Sequence, residues 1–226
     1  MSARESVLPR QLALALGHGE SFEREDFLPA PGNAAALALI DRWPDWPGRL
    51  AALTGPEGAG KSHLAAIWAR TAGARQIRGR AIESGSVPQA LATGALIIED
   101  ASAALDEAAL FHLLNLANEQ RAYVLLTARD PPAHWPIALP DLASRLRVIP
   151  AAVLQAPDDA LLRAILVKLF ADRQLAVDDA LIDYLVTRIE RTCAAARGAV
   201  ADLDEAALRL KRPVNRVLAA EILRRR

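Results

Sequence analysis

The 226-residue chain has a single cysteine, Cys193, so no disulfide can form within it. Such sparse thiol usage fits a reducing compartment. It also has no excess charge of either sign: Lys+Arg and Asp+Glu each number 27, and the net charge is zero. A protein holding nucleic acid by sequence-independent phosphate contacts would carry a basic excess, so that class is disfavoured. No apolar run approaches the ~18 residues that span a bilayer. The stretch 12–16 is too short for the core of a secretion signal. The four histidines (His18, His63, His112, His134) are scattered without ligand spacing, and no zinc site is expected. Repeats are absent, as is any low-complexity tract beyond richness in alanine. The expectation is a soluble, cytoplasmic chain, 52% apolar, with length for one α/β domain and a small second one.

What is present begins with a phosphate-binding motif. Gly55-Pro56-Glu57-Gly58-Ala59-Gly60-Lys61-Ser62 satisfies G-x-x-x-x-G-K-[ST] between an apolar run at 50–53 and a helix-forming run starting with His63. A buried strand feeding a glycine-rich turn into a helix aims backbone N–H groups and the helix dipole at one point. The glycines permit close approach of a phosphate, Lys61 supplies a point charge, and the Ser62 hydroxyl suits a Mg²⁺ ligand. The motif implies a nucleoside di- or triphosphate, ADP or ATP, with Mg²⁺.

Along the chain, residues 1–20 read as an arm, 21–150 as an α/β nucleotide-binding core, and 151–226 as an all-helical module. Strands are expected at 50–53, 75–78, 95–98, 123–127 and 147–149, with helices at 33–42, 62–71, 87–92 and 106–120 between them. Strands alternating with helices imply a parallel sheet covered on both faces. Helical periodicity alone follows, near 158–173, 178–191, 194–210 and 213–225.

The third expected strand ends in Glu99-Asp100. Phosphate-loop ATPases place an acid at this sheet edge to orient the Mg²⁺ water shell, and many add a second to orient the attacking water. Either Glu99 serves the metal and Asp100 the water, or Asp100 serves the metal and Ala101 leaves no base behind it. Both registers stay open, and neither implies rapid hydrolysis by the chain alone.

With these pieces in place the chain resembles the AAA+ family, and within it the DnaA-type replication initiators and their shorter Hda-type relatives. Ser21-Phe22 through Phe27-Leu28, followed by Asn33, Ala34 and Ala36, looks like the segment that covers the adenine base. Thr127-Ala128-Arg129-Asp130-Pro131-Pro132 is similar to the sensor-1 strand end, from which Thr127 transfers. Leu139-Pro140-Asp141-Leu142-Ala143-Ser144-Arg145-Leu146 is very similar to the arginine-finger box. Leu154-Gln155-Ala156-Pro157-Asp158 looks like the lead-in to the helical lid.

The resemblance implies an α/β AAA+ core with a helical lid, and a nucleotide held by residues 55–63 with Phe27, Leu28 and Asn33. It also implies that Arg145 acts in trans at a neighbour's γ-phosphate. Such a finger raises the rate by about 10³–10⁵. The alternative for Arg145 is a surface ion pair with Asp141. The family's sensor-2 arginine falls on Ala194 here, with Arg191 and Arg197 three residues to either side.

Ahead of the core, Gln11, Leu12, Leu14 and Leu16 resemble the hexapeptide that docks proteins on the replicative sliding clamp. In an extended segment the three leucines share one face. No helix-turn-helix domain follows the lid, so sequence-specific DNA binding is not expected. The implied role is a regulator that rides the DNA-loaded clamp, near the nucleoid, and stimulates ATP hydrolysis by a DnaA-type initiator, restraining re-initiation. A homodimer stays open. The competing readings are a self-hydrolysing AAA+ ATPase, such as a helicase loader or initiator-like protein, a small-molecule kinase, and a clamp adaptor whose nucleotide is structural.

Overall fold

The structure, a computed structural model, describes residues 22–102 and 106–224. In chain order the elements are α1 (Ala34–Asp41), β1 (Leu50–Thr54), α2 (Lys61–Ala72), β2 (Arg75–Arg78), α3 (Val87–Ala90), β3 (Ala95–Glu99), α4 (Glu107–Glu119), β4 (Tyr123–Ala128), α5 (Pro140–Arg147), β5 (Ala151–Val153), α6 (Asp159–Asp172), α7 (Asp179–Val186), α8 (Cys193–Leu210) and α9 (Arg216–Leu223). The strands form one parallel sheet in the order β2-β3-β4-β1-β5. Strand β1 lies between β4 and β5, so the loop that follows it opens at the sheet's C-terminal edge between the ends of those two strands.

Alternation along each strand decides which layer it feeds. In β3, Leu96 and Ile98 enter a core shared with Leu110, Leu113, Leu142 and Leu146 of α4 and α5. Ile97 faces the other way, with Leu53 and Leu125, toward Leu64, Ala65 and Trp68 of α2. Burying each large aliphatic side chain contributes about 1.5–3 kcal/mol, so both faces of the sheet are closed by apolar contact. The outer strand β2 (Arg75-Gln76-Ile77-Arg78) is largely exposed, and its charges discourage edge-to-edge pairing.

Helices α6 to α9 gather around Leu162, Leu166, Phe170, Leu181, Val200 and Leu218, a core distinct from the two that flank the sheet. Each starts with a capping side chain: Asp158, Asp178, Thr192 and Asn215 accept from the N–H groups of Leu161, Leu181, Ala195 and Leu218. A cap of this kind contributes about 1 kcal/mol. Ion pairs of Arg163 with Asp179 and Asp183 brace α6 against α7. Among the described residues no helix is long and apolar enough to cross a membrane.

Two expectations are corrected. Residues 147–149 are not a strand: Pro140–Arg147 is a helix, and Val148 beyond it is 77% exposed. Proline at the first helical position and the Leu142/Leu146 pair on one buried face account for the helix. The last strand is Ala151–Val153, paired with Ala52–Thr54 of β1. The sheet therefore claims residues assigned from the sequence to the helical module, whose first helix starts at Asp159.

Candidate nucleotide site

The loop after β1 turns on three glycines with positive φ: Gly55 (138°), Gly58 (74°) and Gly60 (104°). At two of them space as well as φ requires glycine. A Cβ on Gly55 would lie 2.1 Å from the Leu154 carbonyl oxygen, and one on Gly58 would lie 2.4 Å from Thr192 Cβ. Lys61 and Ser62 then open α2, and Ser62 is exposed. Lys61 Nζ donates to the carbonyls of Gly55 (2.7 Å) and Pro56 (2.8 Å), which holds the ammonium across the loop mouth. Burial lowers the Lys61 pKa, Asp100 opposes that shift, Arg129 adds to it, and Glu57 opposes it.

Glu99 ends β3 half-buried, while Asp100 follows it with φ 49°. Thr127 fastens this corner: its hydroxyl accepts from Asp100 N–H (3.2 Å) and its carbonyl from Ala101 N–H (2.8 Å). Asp100, one residue past β3, is the carboxylate of the pair whose charge raises the Lys61 pKa.

Residues 22–33 run beside the start of α2. The rings of Phe22 and Phe27 meet His63 edge-on at 5.3 and 5.4 Å. His63 Nε2 lies 3.1 Å from the Glu23 carbonyl, which only accepts, so Nε2 carries the hydrogen. Burial lowers the His63 pKa, the Glu23 carbonyl opposes this, and the nearby Arg197 lowers it further. Leu28 is half-buried beside this hub. Asn33 is buried, with Oδ1 accepting from Ala30 N–H (2.8 Å) and Nδ2 donating to the Leu28 carbonyl (3.0 Å). Its amide oxygen and one of its N–H groups fasten its own turn, which shapes the segment.

The lid reaches this site through the start of α8. Cys193 N–H donates to the Gly58 carbonyl at 3.1 Å. Beside that seam is a cavity of about 620 Å³ lined by Glu57, Gly58, Arg188, Thr192 and Ala194 among others. The two arginines flanking Ala194 differ. Arg191 pairs with Asp159 at 2.7 Å and is 60% exposed, whereas Arg197 bears electrostatically on His63 and Cys193. Lys168 of α6 adds a second link to the core, pairing with Asp26 at 2.7 Å.

Arg145 lies in the last turn of α5, its guanidinium carbon 5.2 Å from the centre of the Phe111 ring. Its partner is therefore an aromatic face on α4, and no ion pair with Asp141 forms. Sequence reasoning passed over Arg129, whose carbonyl accepts from Gly55 N–H at 3.0 Å. A signal was available: in a parallel sheet, the residue after β4 adjoins the one after β1. Gln11, Leu12, Leu14 and Leu16 lie outside the described residues.

No family model matches the chain, and no curated protein matches it in sequence. Solved structures do. Domain III of the Thermotoga maritima replication initiation protein DnaA superposes with a TM-score of 0.74 at 18% identity, covering 90% of this chain and 95% of that one. AMPPCP-bound DnaA from Aquifex aeolicus gives 0.65 at 17%, covering 80% and 64%. The Thermotoga maritima RuvB Holliday junction branch migration motor gives 0.63 at 18%, covering 76% and 59%. At such identities the likeness defines a fold: a parallel α/β phosphate-loop core of the AAA+ kind followed by a helical lid. That fold is related to those of DnaA and RuvB.

Proposed function

We propose that the chain is an initiator-like AAA+ ATPase that binds ATP or ADP with Mg²⁺ and completes hydrolysis between subunits. The observation that carries this is the joining of phosphate loop, acidic corner and lid at one place: Lys61 over the loop, Asp100 acting on it, and Cys193 bonded to Gly58. The residues fit the ligand. The N–H groups of 58–62 and the α2 N-terminus would hold the phosphates, Lys61 would neutralise them, and Ser62 with Asp100 would hold Mg²⁺. The metal would supply charge neutralisation at the phosphates. Glu99 stays at the strand end, and Ala101 after Asp100 offers no second acid. Thr127 keeps the Asp100 backbone in place. The nucleotide base would lie near Phe27, Leu28 and His63. Arg145 is the donor for a neighbouring copy or partner.

Equilibrium binding of fluorescent ADP and ATP tests this. Lys61→Ala should weaken both about 100-fold, the order of two charge-assisted hydrogen bonds, with far-UV circular dichroism unchanged. Full binding by that variant sinks the reading.

The narrower reading is a regulator docked on the sliding clamp through Gln11, Leu12, Leu14 and Leu16, lending Arg145 to a DnaA-type initiator. It is favoured by an Arg145 that is held by a ring rather than by a carboxylate, and by an alanine at 194. Steady-state hydrolysis separates the two. Turnover that grows with the concentration of this chain alone supports the self-hydrolysing ATPase. Turnover that needs initiator and clamp on DNA, and vanishes in Arg145→Ala and Gln11→Ala/Leu12→Ala, supports the regulator.

A further inference from the structure

At the end of the sheet away from the phosphate loop, β1 and β4 begin side by side, with Leu50 in register with Val124. The turns that lead into them each hold an arginine in the left-handed region, Arg49 (φ 60°) before β1 and Arg121 (φ 55°) before β4. Both backbones are fixed: Arg49 N–H donates to the Trp46 carbonyl (3.0 Å) and Arg121 N–H to the Asn118 carbonyl (3.2 Å). The two arginines line one open cavity of about 510 Å³ with Pro44, Asp45, Asn118 and Tyr123. The Arg49 guanidinium carbon lies 4.8 Å from the centre of the Tyr123 ring, an attraction that consumes none of its N–H donors. Among the described residues no ion pair claims Arg49, Arg121 or Asp45.

We propose that this cavity is a second anion site, separate from the nucleotide site, and that it takes a phosphate monoester. One guanidinium fork fills both oxygens of a carboxylate. A phosphate monoester presents three terminal oxygens and about two negative charges, enough to engage both arginines at once. The Asn118 amide and the Tyr123 hydroxyl bring further donors to the same wall. Pro44 and the Tyr123 ring give the carbon part of the ligand an apolar surface. Asp45 sets the upper limit on charge: its carboxylate repels an extended polyanion more than a single phosphate, and so selects for an isolated group. The site stands a strand's length from Lys61 and needs nothing from the loop.

Tryptophan fluorescence and calorimetry test the proposal, since the Trp43 and Trp46 rings lie 5.7 and 6.3 Å from that of Tyr123. The full chain, with Mg-ADP in excess to fill the phosphate loop, is titrated with glycerol phosphate, a phosphoserine peptide and acetate. A phosphate ligand should bind, and acetate about tenfold more weakly or worse. Binding of glycerol phosphate assigns the monoester to a small molecule; binding of the peptide alone assigns it to a protein side chain. Arg49→Gly and Arg121→Gly suit the left-handed backbone and so keep the turns intact. Each should weaken the phosphate ligand about tenfold, the loss of one charge-assisted bond. Asp45→Asn should tighten it by removing a like charge. Unchanged affinity in both glycine variants, acetate binding as tightly as phosphate, or no response to either phosphate ligand in both measurements overturns the proposal.

Discussion

The phosphate loop and the lid meet at the hydrogen bond from Cys193 N–H to the Gly58 carbonyl, yet they are built on opposite principles. The loop works through its backbone: positive φ at Gly55, Gly58 and Gly60 shapes it, and in the proposed function its N–H groups are what meets the phosphates. The lid works through side chains, with four capped helices around an apolar core of their own. Lesions in the lid should accordingly lower stability first, whereas lesions in the loop should act on the ligand with little effect on the fold. Gly58 and Thr192 are where this division fails, since loop shape and lid seating depend there on the same contact.

The largest expected effect lies in the lid. Phe170 is almost fully buried, and Phe170→Ala should cost about 3–5 kcal/mol. If the lid folds independently, denaturant unfolding of this variant should split into two transitions, and a single shifted transition would show lid and core to be one cooperative unit. Next is Gly58→Ala, which adds a Cβ 2.4 Å from Thr192 at a φ of 74°. Strain of this kind costs about 1–3 kcal/mol. Nucleotide affinity and lid protection in hydrogen exchange should fall together; loss of either one alone would restore the simple division.

Thr192→Ala should remove about 1 kcal/mol by taking the cap from α8. Hydrogen exchange should localise this to the first turn of α8, beside the Gly58 contact.

The smallest effect concerns pH. The folded His63 pKa lies below its ordinary 6.5, chiefly through burial. The unfolded chain then binds more protons between the folded value and 6.5, so stability rises with pH in that window. The contribution is fully present above 6.5 and is lost as pH falls through the folded pKa. His63→Gln should flatten the dependence of melting temperature on pH below neutrality. An unchanged slope would assign it to other groups.

The elements most legible in advance were those with short-range signals. Strands β1, β3 and β4 are continuous apolar runs, and the glycine-lysine motif places a turn and a helix after the first. Segment 139–150 was harder. Leu142 and Leu146 mark a helical face only two turns long, while Arg147-Val148-Ile149 has the β-branched look of a strand. Which one wins depends on α4 being present to bury those leucines. Likewise Ala151–Val153 has no strand signature of its own and becomes one because β1 lies beside it. The same limit governed the site: nothing local distinguishes Arg191 from Arg197, and it takes α6 to pair one with Asp159 and the first turn of α2 to bring His63 near the other.

Composition and motif alone determined that this chain would build a parallel α/β core around a phosphate loop with helices after it, since apolar periodicity and glycine conformation act within a few residues. Folding in three dimensions decided which charges meet. Arg129 opposite Glu57, Asp100 within reach of Lys61, and Arg145 laid on Phe111 bring together residues distant in the chain. Electrostatic partnership depends on distance in space, and only the packed sheet and lid set those distances.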